Sequence, residues 1–166
     1  MRASSRPVLS VASVCTMPRI DKNELKKDRV KFVMHCSHCG VCCEKTEMIL
    51  SNADVKCLET IGYYRQKFVR QDRHGFIRLR NHHGFCVFYN VERCRCRIYR
   101  HRPLGCRIYP VIYSKQEGII VDDICAMINT VSKIELERKG RKLISLLQKI
   151  DAEATYNRNK TKNVKV

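Results

Sequence analysis

Hydrophobic positions in this chain come as short clusters until the C-terminal third, where they space out into a stripe. Met48-Ile49-Leu50 reads as a short strand, and Ser51 with Asp54 makes a capping box that opens a helix over about residues 53–62. Cys57 falls inside that helix, where a free thiol behaves as a small buried hydrophobe. Phe76-Ile77-Arg78-Leu79-Arg80, then Asn81-His82-His83-Gly84, then Phe85-Cys86-Val87-Phe88-Tyr89 predict a β-hairpin, because the central residues tolerate positive φ. His82 and His83 at its turn read as solvated side chains, not ligands. Residues 111–113 and 119–121, around Glu117-Gly118, predict a second hairpin. Ser132 and Glu135 form another capping box, and Ile134, Leu143, Ile144, Leu147 and Ile150 give a core-facing stripe that Gly140 can kink. The fold class expected is α+β: a small single domain of short strands and loops with a C-terminal amphipathic helix.

Composition sharpens this. The chain has 166 residues, enough for one domain, and its 44% hydrophobic content includes 11 cysteines, so the aliphatic core is thin. Residues 1–30 read as a flexible leader, 31–155 as the domain and 156–166 as a basic, frayed tail. No run approaches the roughly 20 apolar residues that span a bilayer. Residues 1–17 make a poor secretion signal: Ser10 and Ser13 break the apolar stretch, and Val14 before Cys15 matches a lipoprotein site only loosely. A start at Met17 is the plainer alternative. The odd cysteine count does not suit a complete disulfide framework, so a reducing cytoplasm and metal ligation are expected.

Four cysteines crowd into Cys36-Ser37-His38-Cys39-Gly40-Val41-Cys42-Cys43, and Cys86, Cys94, Cys96, Cys106 and Cys125 follow. Thiolates so close repel one another unless a cation lies among them; zinc or an iron–sulfur cluster is the natural occupant. Cys36-x2-Cys39-x2-Cys42 is the spacing by which bacterial ferredoxins supply three ligands to a 4Fe-4S cube, which favours iron–sulfur slightly; eight thiols equally suit two tetrahedral zinc sites. On an extended backbone Cys42 and Cys43 face opposite ways and serve two centres; on a helical one they share a site. Arg93-Cys94-Arg95-Cys96-Arg97, if extended, puts both thiols on one face and three guanidinium groups on the other.

The formal charge is +17, which eight thiolates on two zinc ions lower by about four units and a four-thiolate cube by about two. Arg93, Arg95, Arg97, Arg100, Arg102 and Arg107 either offset the thiolates or offer a face to nucleic acid or another anionic partner.

The two arrays, CSHCGVCC at 36–43 and CVFYNVERCRCRIYRHRPLGCRIYP at 86–110, resemble the YkgJ-like cysteine-cluster family, the zinc- or iron-chelating CxxCxxCC domains. The resemblance covers about residues 32–126. It implies Cys36, Cys39, Cys42, Cys43, Cys86, Cys96, Cys106 and Cys125 as metal ligands, with Arg102, Pro103, Arg107 and Pro110 on the family's remaining signature. Ala126-Met127 after Cys125 departs from the glycine that often follows there, and Cys15, Cys57 and Cys94 are extras. Three readings follow: a metal-holding cysteine-cluster protein; a zinc-stabilised nucleic-acid-binding module; and an iron–sulfur oxidoreductase or methyltransferase-like enzyme related to flagellin lysine methylases. No nucleotide loop and no His-Glu-x-x-His motif supports the last.

Overall fold

The computed structural model describes Met34 and residues 36–163; the leader expected at 1–30 and the residues after 163 lie outside them. Four helices, α1 (Asn52–Thr60), α2 (Arg65–Phe68), α3 (Leu104–Ile108) and α4 (Lys133–Asn163), alternate with nine short strands. The class is the α+β one expected. β1 (Ile49–Leu50), β2 (Val69–Gln71) and β3 (Ile77–Leu79) form an antiparallel sheet in the order β1-β3-β2, with Leu50 opposite Ile77 and Val69 opposite Leu79. Two-residue ladders join β4 (Asn81–His82) to β5 (Phe85–Cys86) and β6 (Tyr89–Asn90) to β7 (Arg95–Cys96). β8 (Val111–Ser114) and β9 (Gly118–Val121) make the second hairpin where the sequence placed it. Among the described residues no helix is long and apolar enough to cross a membrane.

The first hairpin is smaller than its apolar arms suggest. Ile77–Leu79 pairs with β1 and β2, leaving only Asn81–His82 and Phe85–Cys86 to close around the positive-φ residues His83 and Gly84. Period-2 alternation explains the outcome. Leu50 and Ile77 face a core with Val55, Leu58, Phe68, Leu79, Phe88 and Ile98, while their neighbours Ile49 and Phe76 face a second core of Ile108, Val111, Leu143, Leu146 and Ile150. A sheet covered on both faces rewards strand residues with apolar side chains on both sides.

α4 supplies the second cover, and its buried stripe is Leu143, Leu146, Ile150 and Ala154. Ile134, 79% exposed, and Ile144, 38% exposed, fall outside the stripe, so two of the five positions expected in the core face solvent. α4 runs unbroken through Gly140, which is buried against Ile119 of β9 and lets helix and hairpin approach closely instead of kinking. Past Tyr156 the chain stays helical: Asn157 Nδ2 donates to Gly75 O at 3.1 Å, and Gly75 (φ +89) leaves no room for a Cβ beside the Ala154 carbonyl. Only half of the second capping box forms. Glu135 N–H lies 3.2 Å from Ser132 Oγ, but the Glu135 carboxylate is used elsewhere, as described below.

The first box forms completely and does more. Ser51 N–H donates to Asp54 Oδ2 at 3.0 Å and Asp54 N–H to Ser51 Oγ at 3.2 Å. Asp54 Oδ1 accepts the Leu104 N–H at 2.8 Å, so one buried carboxylate fixes the start of both α1 and α3. Asp54→Ala removes a cap and strands the part-buried Leu104 N–H. It should cost about 2–4 kcal/mol in urea unfolding, against about 1 kcal/mol for Ser51→Ala; equal costs would mean that the link to α3 carries no stability.

Candidate metal centre

The first cysteine array is wrapped by tight backbone. His38 and Gly40 adopt φ of 59° and 82°, and the chain then enters the 3-10 turn Val41–Cys43, whose Cys43 N–H donates to Gly40 O at 2.8 Å. Glycine is needed at 40 twice over: for the left-handed backbone, and because a Cβ would collide with the Tyr89 ring. The helical turn decides between the two dispositions open to Cys42 and Cys43. They approach each other, and the Cys43 thiol hydrogen-bonds to the Cys42 sulfur.

The other cysteines arrive from four separate elements. Cys86 ends β5, Cys96 ends β7 opposite Tyr89, Cys106 sits on α3, and Cys125 lies in the turn after β9, where its N–H donates to Asp122 O at 3.2 Å. α4 holds the margins together. Glu135 Oε2 accepts the Met34 N–H at 2.8 Å, Glu135 Oε1 pairs with Lys139 Nζ at 3.0 Å, and Lys139 Nζ reaches Tyr109 O at 3.3 Å. The beginning of the cysteine loop and the end of α3 are thereby tied to one helix.

Two small adjoining cavities, of ≈ 60 and ≈ 40 Å³, receive the thiols. Cys43, Cys86 and Cys96 line the larger, Cys39 and Cys125 the smaller, and Cys36, Cys42 and Cys106 line both. Met48, Leu79, Phe88 and Ile98 wall the larger cavity, so its surroundings are mostly apolar. None of the eight is disulfide-bonded. Among the described residues no three cysteine, histidine, aspartate or glutamate side chains converge on one point at ligating distance.

Cys57 and Cys94 stand outside. Cys57 is exposed, a correction to the buried position expected for it: α1 turns Asp54, Val55 and Leu58 inward and leaves position 57 at the surface. Cys94 takes φ +46°, so the strict alternation of 93–97 is broken and only Arg95–Cys96 is strand. Cys96 faces the larger cavity, whereas Cys94 lines neither. His82 and His83 are exposed at their turn and also line neither.

Ionising these thiols in place is costly. Burial raises Cys36, Cys96, Cys106 and Cys125, and pushes Cys86 up to about 11, with the neighbouring thiols adding to the effect. Tyr89 is pushed up to about 12 by burial and then by the surrounding thiols. Cys42 moves the other way, to about 7, chiefly through the hydrogen bond from Cys43 and further through the Arg102 guanidinium; the same bond drives Cys43 up. Arg102 stacks on Tyr99 at 3.7 Å from the ring centroid, donates from Nε to Tyr99 O at 3.0 Å, and lines both cavities. Burial foremost, with the Asp122 carboxylate adding to it, raises the Tyr109 hydroxyl. That hydroxyl lies buried at the two cavities, facing the Asp122 carboxylate.

The six arginines do not form one face. Arg93, Arg95 and Arg97 are exposed around β7, Arg100 and Arg107 line a cleft, and Arg102 lies between that cleft and the thiols. His38, Tyr89, Tyr99 and Tyr109 also line the larger cavity and were not picked out by sequence reasoning. Tyr89, Tyr99 and Tyr109 lie within the 86–110 motif and His38 within 36–43, and that position was the available signal.

Residues 35–126 match the family model CxxCxxCC, described as a "putative zinc- or iron-chelating domain". The chain belongs to the CxxCxxCC family. The family resemblance read from the two cysteine arrays holds, and with it metal chelation of the zinc or iron kind. An uncharacterized protein of Methanocaldococcus jannaschii is 27% identical over 108 residues, covering 57% of this chain and 57% of that protein, so the match spans little more than half the relative's length. No solved structure matches this CxxCxxCC chain.

Arg102 lowers Cys42 by its charge, so Arg102→Leu should raise it. In metal-free, reduced protein, thiolate absorbance in the near ultraviolet should begin at higher pH in the variant than in the parent. Coincident titrations would show that the guanidinium does not act on the thiols.

Proposed function

We propose that Cys36, Cys39, Cys42, Cys43, Cys86, Cys96, Cys106 and Cys125 are the metal ligands of a protein that holds an iron–sulfur cluster. The observation that carries this is that these eight thiols come from six elements to one pair of cavities, while Cys57 and Cys94 do not. The donors suit the group: soft sulfur, in mostly apolar surroundings. A cation also offsets the cost of ionising buried, mutually repelling thiols.

Their electrostatic neighbourhoods link them into one set: Cys36, Cys43, Cys86, Cys96, Cys106 and Cys125 all feel Cys42. Cys36, Cys39 and Cys42, with Cys125 as a remote fourth at the smaller cavity, have the ligand arrangement of a 4Fe-4S cube. Such a cluster supplies one-electron chemistry when bound. The count of eight thiols suits one further reading, two structural tetrahedral zinc ions.

Purification without oxygen, followed by iron, sulfide and zinc analysis, should yield coloured protein with iron and acid-labile sulfide. Colourless protein with two zinc ions per chain would establish the zinc reading instead, and protein with neither metal would overturn both. Cys39→Ser and Cys42→Ser should each lose most of the metal and several kcal/mol of stability, whereas Cys57→Ser should keep its full metal content. Loss of metal from Cys57→Ser would make that cysteine a ligand.

A further inference from the structure

Beside the thiol cavities, α4 and the segment 100–107 enclose an open cleft of ≈ 860 Å³. Arg141, Lys142 and Lys149 line it from α4, Arg100, Arg107 and the Tyr99-stacked Arg102 from the other wall, and Ala53, Leu104 and Leu146 contribute apolar surface. A smaller recess of ≈ 250 Å³ shares Arg107 and Lys142 and adds Arg138. On α4 the sequence positions 138, 141, 142, 145 and 149 recur every three or four residues, so they share one helical face about 16 Å long.

The charge in this cleft is uncompensated. Two carboxylates line the cleft and its recess, and both are buried and committed: Asp54 to Ser51 and Leu104, and Glu135 to Met34 and Lys139. None of the ion pairs among the described residues involves Arg100, Arg107, Arg138, Arg141, Lys142 or Lys149. Like charges facing one another across a concavity destabilise the fold unless an anion enters. Five of the six flexible cations face a single open cleft, on two opposed walls, over a length that one phosphate cannot span. Ser145 adds a hydroxyl and His101 an exposed ring.

We propose that this cleft binds the phosphodiester backbone of a single-stranded nucleic acid. Guanidinium groups match phosphate oxygens in fork geometry, and a positively charged groove that tracks the backbone is the usual means of holding an unpaired strand. The inference moves the anionic partner away from the 93–97 arginines and does not depend on which metal the thiols hold.

The test uses the full-length, metal-loaded protein and a fluorescently labelled single-stranded RNA, with anisotropy followed across a salt series. Binding should weaken with salt at a log–log slope of about −0.7 per phosphate engaged. Arg141→Glu/Lys149→Glu should weaken it by at least about tenfold. The control, Arg93→Glu/Arg97→Glu, makes the same change in net charge and should alter affinity by less than about threefold. Metal content and circular dichroism confirm that each variant is folded. Equal losses in both variants, or an unaltered Arg141→Glu/Lys149→Glu variant, would overturn the assignment. So would binding of tripolyphosphate with no binding of the RNA, which would make the cleft a site for a small phosphorylated ligand.

Discussion

Gathering many thiols into one apolar place is the constraint on which the rest of this structure depends. Each thiol loses solvation on burial, and each thiolate raises the energy of the next. The larger cavity shows the conflict in its neighbours: burial and adjacent sulfur push Cys86 and Tyr89 toward their neutral forms. Cys42 escapes because Cys43 donates to it and Arg102 stands close. A cation supplied from outside resolves the same conflict for the whole set, which is why the family's zinc- or iron-chelating character and the electrostatics of the site agree.

Holding such a site needs anchors that do not depend on aliphatic packing alone, because the cores on either side of the β1-β3-β2 sheet are small. Two carboxylates serve as those anchors. Asp54 joins α1 to the start of α3, the helix that carries Cys106. Glu135, paired with Lys139, joins α4 to Met34 ahead of the first array and to the carbonyl of Tyr109 behind Cys106. Both carboxylates are buried with their partners in place, the condition under which buried charge is tolerated.

The same architecture sorts the positive charge. In sequence, Arg93 to Arg107 is one basic stretch; in space it separates into an exposed set around β7, a guanidinium stacked on Tyr99 beside the thiols, and two side chains on the wall of a cleft whose other wall is α4. A net charge of +17 is therefore not spread evenly, and its placement bears on partners where its total does not.

Much of this was legible in the residues. The two cysteine arrays carried the family, the Ser51–Asp54 box opened α1, and the short apolar runs flanking the Glu117-Gly118 turn placed β8 and β9, because each is a local pattern whose chemistry is settled within a few residues. What needed long-range contact was not legible. The burial of α4 at Leu146 and not Ile134, the passage of α4 through Gly140, the exposure of Cys57 and the withdrawal of Cys94 all follow from which surface meets which. The sequence by itself determined the thiols and the charge. Only the tertiary structure decided which thiols share a cavity and which arginines face them, because a side chain's neighbours across the fold are set by packing and by the entropy of closing loops, not by its place in the chain.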